Sequence, residues 1–233
     1  MYKLLNFDRG RNCLKHLIKV FKVKELFIPY YLCDVIRHTL FEENCKPVFY
    51  HINDDFMPAC DFPKNSFILY PNYFGICENN VKILERIYPK LIVDNAHAYY
   101  NPPLGIACFN SGIKFGYGEN AYLWIKNTET MNSEYSIPVN REWQKKCRNK
   151  FIKLDKTYSG MNILKIKRRI NYENCFPFCY PLLAENIQEA DRIVKDLTKK
   201  GYTIYRYWNT MPESFNEYKF YSRLVPIPIA EVI

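Results

Sequence analysis

The sequence predicts an α/β fold: a mainly parallel β-sheet flanked by helices, with a small C-terminal α+β domain. Two observations predict it. Across residues 1–140, apolar runs of strand length alternate with segments whose apolar residues recur at helical spacing. That is the pattern of a parallel sheet covered by helices on both faces. After Trp124 the alternation breaks, and residues 171–233 read as a compact α+β unit, joined to the first part by a bridging helical segment at 141–170. A chain of 233 residues, 48% hydrophobic, suffices for one substantial α/β domain and a small second one.

The elements follow in order. Gly10 opens a helix with Leu14, Leu17, Ile18 and Phe21 on one face. A loop feeding a helix N-terminus can hold a phosphate, because its first N–H groups are free and the helix dipole favours an anion. Gly10, Arg11 and Asn12 stand where this would happen; an ordinary helix start is the competing reading. Residues 26–29 form a strand that runs into Tyr30 and Tyr31. Residues 34–42 form a helix with Val35, Ile36 and Leu40 inward and Asp34 as candidate cap. Residues 47–52 form a strand, and Asn53-Asp54-Asp55 a turn. The strand at 66–70 ends in Pro71-Asn72-Tyr73-Phe74-Gly75, and a helix at 80–88 leads to the strand 91–93. Apolar runs at 106–109 and 121–124 complete the sheet.

The stretch 126–140 is polar and irregular, of a length associated with function or flexibility. A long basic helix follows at 141–157, with Trp143, Cys147, Phe151 and Leu154 at helical spacing, then a basic helical stretch at 162–170. Residues 176–183 are strand-like. Residues 184–200 form a helix with Ile187, Ala190, Ile193, Val194 and Leu197 as its stripe and Gly201 as its end. Strands are expected at 202–208 and 224–229.

Asp94 stands at the end of the strand 91–93, His97 follows it closely, and Lys114 lies beyond the next apolar run among Ser111, Gly112 and Gly116. An acid, an imidazole and an amine at adjacent strand ends sit where open α/β sheets place ligands. A pyridinium cofactor needs these three groups: a carboxylate at its ring nitrogen, a hydrogen-bonding group at its phenolic oxygen and a lysine for its aldehyde. The competing reading is a turn-capping Asp, a half-buried His and a surface Lys.

Composition narrows the classes. The stretch MYKLLNFDRGRN turns polar early, and no apolar run reaches membrane-spanning length, so a cytoplasmic protein without a membrane span is expected. The nine cysteines are scattered without a C-x2-C pair, so buried thiols are expected and no metal site. The net charge of +9 reads as solvated helix faces or as attraction to an anionic substrate; without a nucleic-acid-binding motif, no nucleic-acid partner is expected.

D-x-A-H after an apolar strand, with a lysine about twenty residues on in a small-residue turn, resembles the DegT/DnrJ/EryC1/StrS sugar aminotransferases. These are pyridoxal 5'-phosphate (PLP) enzymes of fold type I. The resemblance implies that Asp94 meets the pyridine nitrogen, His97 the phenolic oxygen and Lys114 the aldehyde, with Ala96 packed under the ring. By the same resemblance Gly10-Arg11-Asn12-Cys13 replaces the family's G-T-x-A at the cofactor phosphate, and Ser111 reaches that phosphate. Tyr31 stacks on the ring, with Tyr30 as alternate, and Asn72 faces the site. The 202–208 and 221–229 stretches resemble the family's closing strands. Where the family has Gly-Glu-Gly-Gly after the lysine, this chain has Gly118-Glu119-Asn120-Ala121.

The implied activity is amino transfer to a keto-sugar, nucleotide-linked, in surface polysaccharide or glycan biosynthesis. Glutamate is the candidate donor, and a homodimer is implied, with the 126–140 loop a candidate to reach the partner's site. Two alternatives stay open: a PLP enzyme of another reaction type, such as a decarboxylase or dehydratase, and a non-catalytic binding or scaffold protein on the same fold.

Overall fold

A computed structural model describes residues 2–126, 137–165 and 177–229. The elements are β1 (Tyr2–Phe7), α1 (Gly10–Phe21), β2 (Glu25–Pro29), α2 (Asp34–Glu42), β3 (Lys46–Tyr50), β4 (Ile68–Pro71), α3 (Glu78–Ile87), β5 (Leu91–Asn95), β6 (Ala107–Asn110) and β7 (Ala121–Lys126). They continue with α4 (Arg141–Tyr158), β8 (Cys179–Leu183), α5 (Ile187–Lys199), α6 (Tyr218–Ser222) and β9 (Leu224–Pro228). The expected basic helical stretch at 162–170 falls mostly outside the described residues, as does most of the 126–140 loop. Among the described residues no helix is long and apolar enough to cross a membrane.

The main sheet has seven strands in the order β1-β7-β6-β5-β4-β2-β3. Neighbours from β3 to β6 pair in parallel, whereas β7 runs antiparallel to both β6 and β1. The expected mainly parallel sheet is therefore present. The N-terminal strand β1 escaped the sequence reading. Its register pairs Leu4 with Trp124 and Phe7 with Ala121, so the partner that makes it a strand lies on a distant part of the chain.

Period-2 alternation divides the core in two. Ile92, Leu69, Ala107 and Phe109 face one layer, in which α1 and α2 bury Cys13, Leu14, Leu17, Ile18, Ile36 and Leu40. Leu91, Val93, Ile68, Tyr70 and Cys108 face the other layer, shared with α3, α4 and the C-terminal elements. Burial of each Leu or Ile on α1 is worth about 2 kcal/mol, more than any difference in helix propensity within it. Packing, not propensity, therefore holds α1, and Lys22 ends it in the left-handed region at φ 50°.

The C-terminal unit closes over the second layer. Asn186 caps α5 by accepting the Glu189 N–H at 2.8 Å, and Glu189 accepts the Glu185 N–H at 3.0 Å. These two bonds start the helix at Ile187, whereas periodicity alone placed its start at 184. Among the described residues strands β8 and β9 pair only with each other, antiparallel, with Pro181 opposite Pro226. The buried Glu217 carboxylate accepts the Ile52 N–H at 2.7 Å and lies 2.9 Å from His51 Nδ1, tying this unit to the end of β3.

The strand expected at 202–208 is not formed. Ala184 N–H donates to Arg223 O, which fixes the phase of the β8–β9 ladder. In that phase Pro226 and Pro228 stand where β9 would otherwise direct N–H groups outward. Proline has no N–H, so this edge cannot template a further strand. Residues 202–208 run beside it unladdered.

Gly105 is the joint between β5 and β6. Its φ is +81°, and a Cβ there would stand 2.4 Å from Leu91 O. Its N–H donates to Glu85 and its carbonyl accepts from Tyr2, so α3 and β1 meet at it. Gly105→Ala is expected to destabilise the chain by about 3 kcal/mol, measured by urea unfolding; a loss below about 1 kcal/mol would show that the turn relaxes freely.

Candidate active site

The strand β5 ends at Asp94 and Asn95 with all five of its residues buried. Asp94 is in register with Pro71 of β4 and Phe109 of β6, so the three parallel strands end together. Its backbone carbonyl accepts the Asn72 N–H at 2.9 Å, and its side-chain Oδ1 accepts the Ala96 N–H at 2.8 Å. The chain then turns back and brings His97 beside it. Beyond β6, Ser111 starts a short 3-10 turn, Gly112–Phe115, that carries Lys114. A Cβ on Gly112 would lie 2.8 Å from Asn120 O, so this turn is held against the loop that follows it.

Asp94, His97 and Lys114 line one cleft of about 840 Å³, its open mouth included. Gly10 and Arg11 from the start of α1 line it too, with Asn72, Ala96 and Ser111. Helix α1 begins with no side-chain cap and no acid in its first turn, which leaves its positive end open to an anion. A Cβ on Gly10 would meet Asn110 O at 3.3 Å, so the start of α1 lies close against the end of β6.

The electrostatics are dominated by burial. Asp94 is pushed up from the ordinary carboxylate range by desolvation, opposed by its bond to Ala96 and by the Lys114 charge. Lys114 is pushed down by desolvation, opposed chiefly by Asp94. His97 is held well below the usual imidazole range by desolvation and then by Lys114, and so is neutral at neutral pH. Its Nε2 is buried with no hydrogen-bond partner among the described residues. Its ring stacks on Phe178 at 4.6 Å and 15°, and on Trp208 at 5.4 Å and 11°.

Two expected site residues stand elsewhere. Tyr31 is fully buried in the core and does not line the cleft. Its hydroxyl donates to Phe220 O at 3.3 Å and its ring packs edge-on against Trp208 at 4.7 Å. The C-terminal unit claims that side of the chain, so Leu32 and Cys33 face the cleft instead. Tyr30, the alternate, stacks on Phe49 and packs at a tilt against His51. Asn12 turns away and donates to Asp8. Asn72 lines the cleft, but its amide is engaged inward, donating to Asn95 Oδ1 and accepting the Cys77 N–H.

The sequence reading missed Arg9, Cys33 and Trp208. Arg9 pairs with Glu119. Trp208 has φ +59° and Phe74, beside His97, φ +55°; bulky residues held in this region cost about 1–3 kcal/mol each, and such strain gathers at functional sites. The aromatic run ending in Trp208 was the available signal, but nothing local says which of its rings meets the cleft.

No family model and no curated protein sequence matches the chain. Solved structures do. A DegT DnrJ EryC1 StrS aminotransferase from Brucella abortus superposes with a TM-score of 0.70 at 12% identity, over 97% of this chain and 80% of that one. The aminotransferase TlmJ from Streptoalloteichus hindustanus gives 0.72 at 12%, over 99% and 81%. Helicobacter pylori PseC, an aminotransferase involved in the biosynthesis of pseudoaminic acid, gives 0.64 at 13%, over 97% and 81%. At this identity the likeness is one of fold, and the expected PLP-transferase fold type I is the fold of this chain.

Because burial depresses Lys114, its amine is expected to react with an acylating reagent at lower pH than the surface lysines do. Asp94 opposes that depression, so Asp94→Asn should move the Lys114 midpoint further toward acid. Residue-resolved labelling against pH, read by mass spectrometry, measures both; a midpoint that stays put or rises in Asp94→Asn would contradict the assigned coupling.

Proposed function

We propose that this chain is a PLP-dependent aminotransferase acting on a keto-sugar, nucleotide-linked, with glutamate as amino donor. One observation carries the reading: a buried acid, a buried imidazole nitrogen without a partner among the described residues and a depressed lysine converge on one cleft that opens onto the N-terminus of α1. The orphaned His97 Nε2 is the fit test, because a buried polar atom without a partner costs about 1–3 kcal/mol and the cofactor's phenolic oxygen would relieve it.

When bound, PLP supplies a protonated pyridine ring that draws electrons from the substrate's reacting carbon. The residues divide the remaining work. Asp94 holds the ring nitrogen protonated by pairing with it, which also relieves its own burial as a lone carboxylate. His97 donates from Nε2 to the phenolic oxygen, and Phe178 and Trp208 fix the plane of its ring. Lys114 would hold the aldehyde, and as a free amine it would take up and return the proton of the substrate's α-carbon. Its lowered pKa suits it to do so as a free base. Gly10, Arg11 and Ser111 receive the phosphate. A homodimer in the cytoplasm, serving glycan biosynthesis, fits the reading.

The test is covalent trapping. The chain is loaded with PLP, reduced with borohydride and digested. The reduced cofactor is expected on Lys114 by mass spectrometry, and Lys114→Ala should carry none and lose activity by about 10³-fold. Added glutamate should convert the bound cofactor to its amine form and release 2-oxoglutarate; a trapped adduct without this half-reaction would point to another PLP chemistry. No adduct at Lys114 under any loading condition would end the enzyme reading.

A further inference from the structure

The charge of the chain is not spread evenly. Helix α4 carries seven lysines and arginines against two acids, a surplus of five in a chain whose net charge is +9. Helices α3 and α5 carry equal numbers of each sign. The two acids of α4 offset little of its surplus at the surface. Asp155 is half-buried and accepts from the Tyr180 hydroxyl at 2.9 Å. Glu142 lies 3.5 Å from Lys146, but both side chains are largely exposed, where an ion pair contributes little.

Arg141, Lys145, Lys146, Lys153 and Lys156 are all exposed. Among the described residues Lys145, Lys153 and Lys156 have no ion-pair partner. Like charges three or four apart on a helix repel. Arg141 and Lys145, Lys146 and Lys150, and Lys153 and Lys156 are so spaced. A merely solvated face would alternate the signs, as α3 does where Lys82 pairs with Glu78.

Apolar groups lie among these cations. Ile152 is half-exposed and shares a face with Lys145 and Lys156 by helical spacing. Val139, two residues before α4, is 52% exposed. Lys200, at the end of α5, lines the same cavity as Lys150, so the end of α5 adjoins α4. Tyr205 lines that cavity too and is 69% exposed.

A nucleic acid would use the cations and a ring face, but not the aliphatic groups. A second copy of this face would meet like charge. An anionic bilayer uses every component: ammonium groups meet headgroup phosphates, aliphatic side chains enter the acyl boundary and a tyrosine ring sits at headgroup level. We propose that α4, with the end of α5 and Tyr205, docks the chain on the surface of an anionic phospholipid bilayer. Exposed cations stand in both the first and the last turn of α4, so the helix lies along the bilayer rather than across it. No α4 residue lines the cofactor cleft, so the proposal stands or falls apart from the aminotransferase reading.

The experiment is flotation of the full chain, without added PLP, on vesicles of phosphatidylcholine alone and of equal parts phosphatidylcholine and phosphatidylglycerol. The mixed vesicles are expected to carry the chain, and less of it as salt rises; the neutral vesicles should carry none. Changing Lys145, Lys153 and Lys156 together to Gln should weaken binding by about a hundredfold, since each lysine at an anionic surface is worth about fivefold. Ile152→Ser should weaken it by about threefold. A charge-matched control, Lys3, Lys24 and Lys64 together changed to Gln, should float like the wild type. All six lysines are exposed, so both triple variants should fold, and circular dichroism checks these and Ile152→Ser. No flotation on the mixed vesicles at low salt would overturn the proposal. A control that loses as much as the α4 variant would overturn the docking face, leaving net charge alone. A single-stranded oligonucleotide bound more tightly than the vesicles, and indifferently to Ile152→Ser, would overturn the lipid assignment in favour of nucleic acid.

Discussion

Asp94, buried, and Lys114, half-buried, are opposite charges that the fold brings to one cleft. Each is pushed by burial toward its neutral form, and each is pulled back by the other. Burial wins on both sides, because mutual attraction at a cleft wall only partly offsets two desolvation penalties. The site is therefore held at a cost that a ligand can remove. A ring nitrogen that pairs with the acid, an aldehyde that takes up the amine and an oxygen that meets His97 would each relieve one unsatisfied group.

That arrangement depends on parallel pairing. Parallel strands end on the same side, and the register that pairs Asp94 with Phe109 and Asn95 with Asn110 sets where the turn after β6 can carry Lys114. Gly105 makes the register possible, since no larger residue fits against Leu91 O in that turn. The same strand ends face the start of α1, because α1 packs on the layer that contains Ile92 and Phe109. The phosphate-type corner and the acid–lysine pair are thus consequences of one sheet edge.

The aromatic layer is the second support. His97 is locked between rings that come from both parts of the chain, and Tyr31 packs behind Trp208 rather than in the cleft. A rigid neutral imidazole with one free nitrogen is a directional donor, which a solvated histidine is not. The strained backbones of Phe74 and Trp208 indicate that packing of the C-terminal unit over the sheet outweighs about 1–3 kcal/mol at each.

Much of this was legible along the chain. Helical periodicity marked α1, α2, α4 and α5, short apolar runs marked the sheet, and Asp94, His97 and Lys114 stood out by type and spacing. These are local properties, written into consecutive residues. Tertiary structure alone decided the rest. Strand β1 exists because β7 pairs with it, and residues 202–208 are not a strand because two prolines on a neighbouring strand remove its donors. Tyr31 packs in the core and Trp208 lines the cleft because which side of an aromatic residue meets solvent, core or cleft depends on what packs there. Sequence by itself determined which groups would be available at the strand ends; only the packed chain decided which rings hold them, since a side chain's direction is set by neighbours far away in sequence.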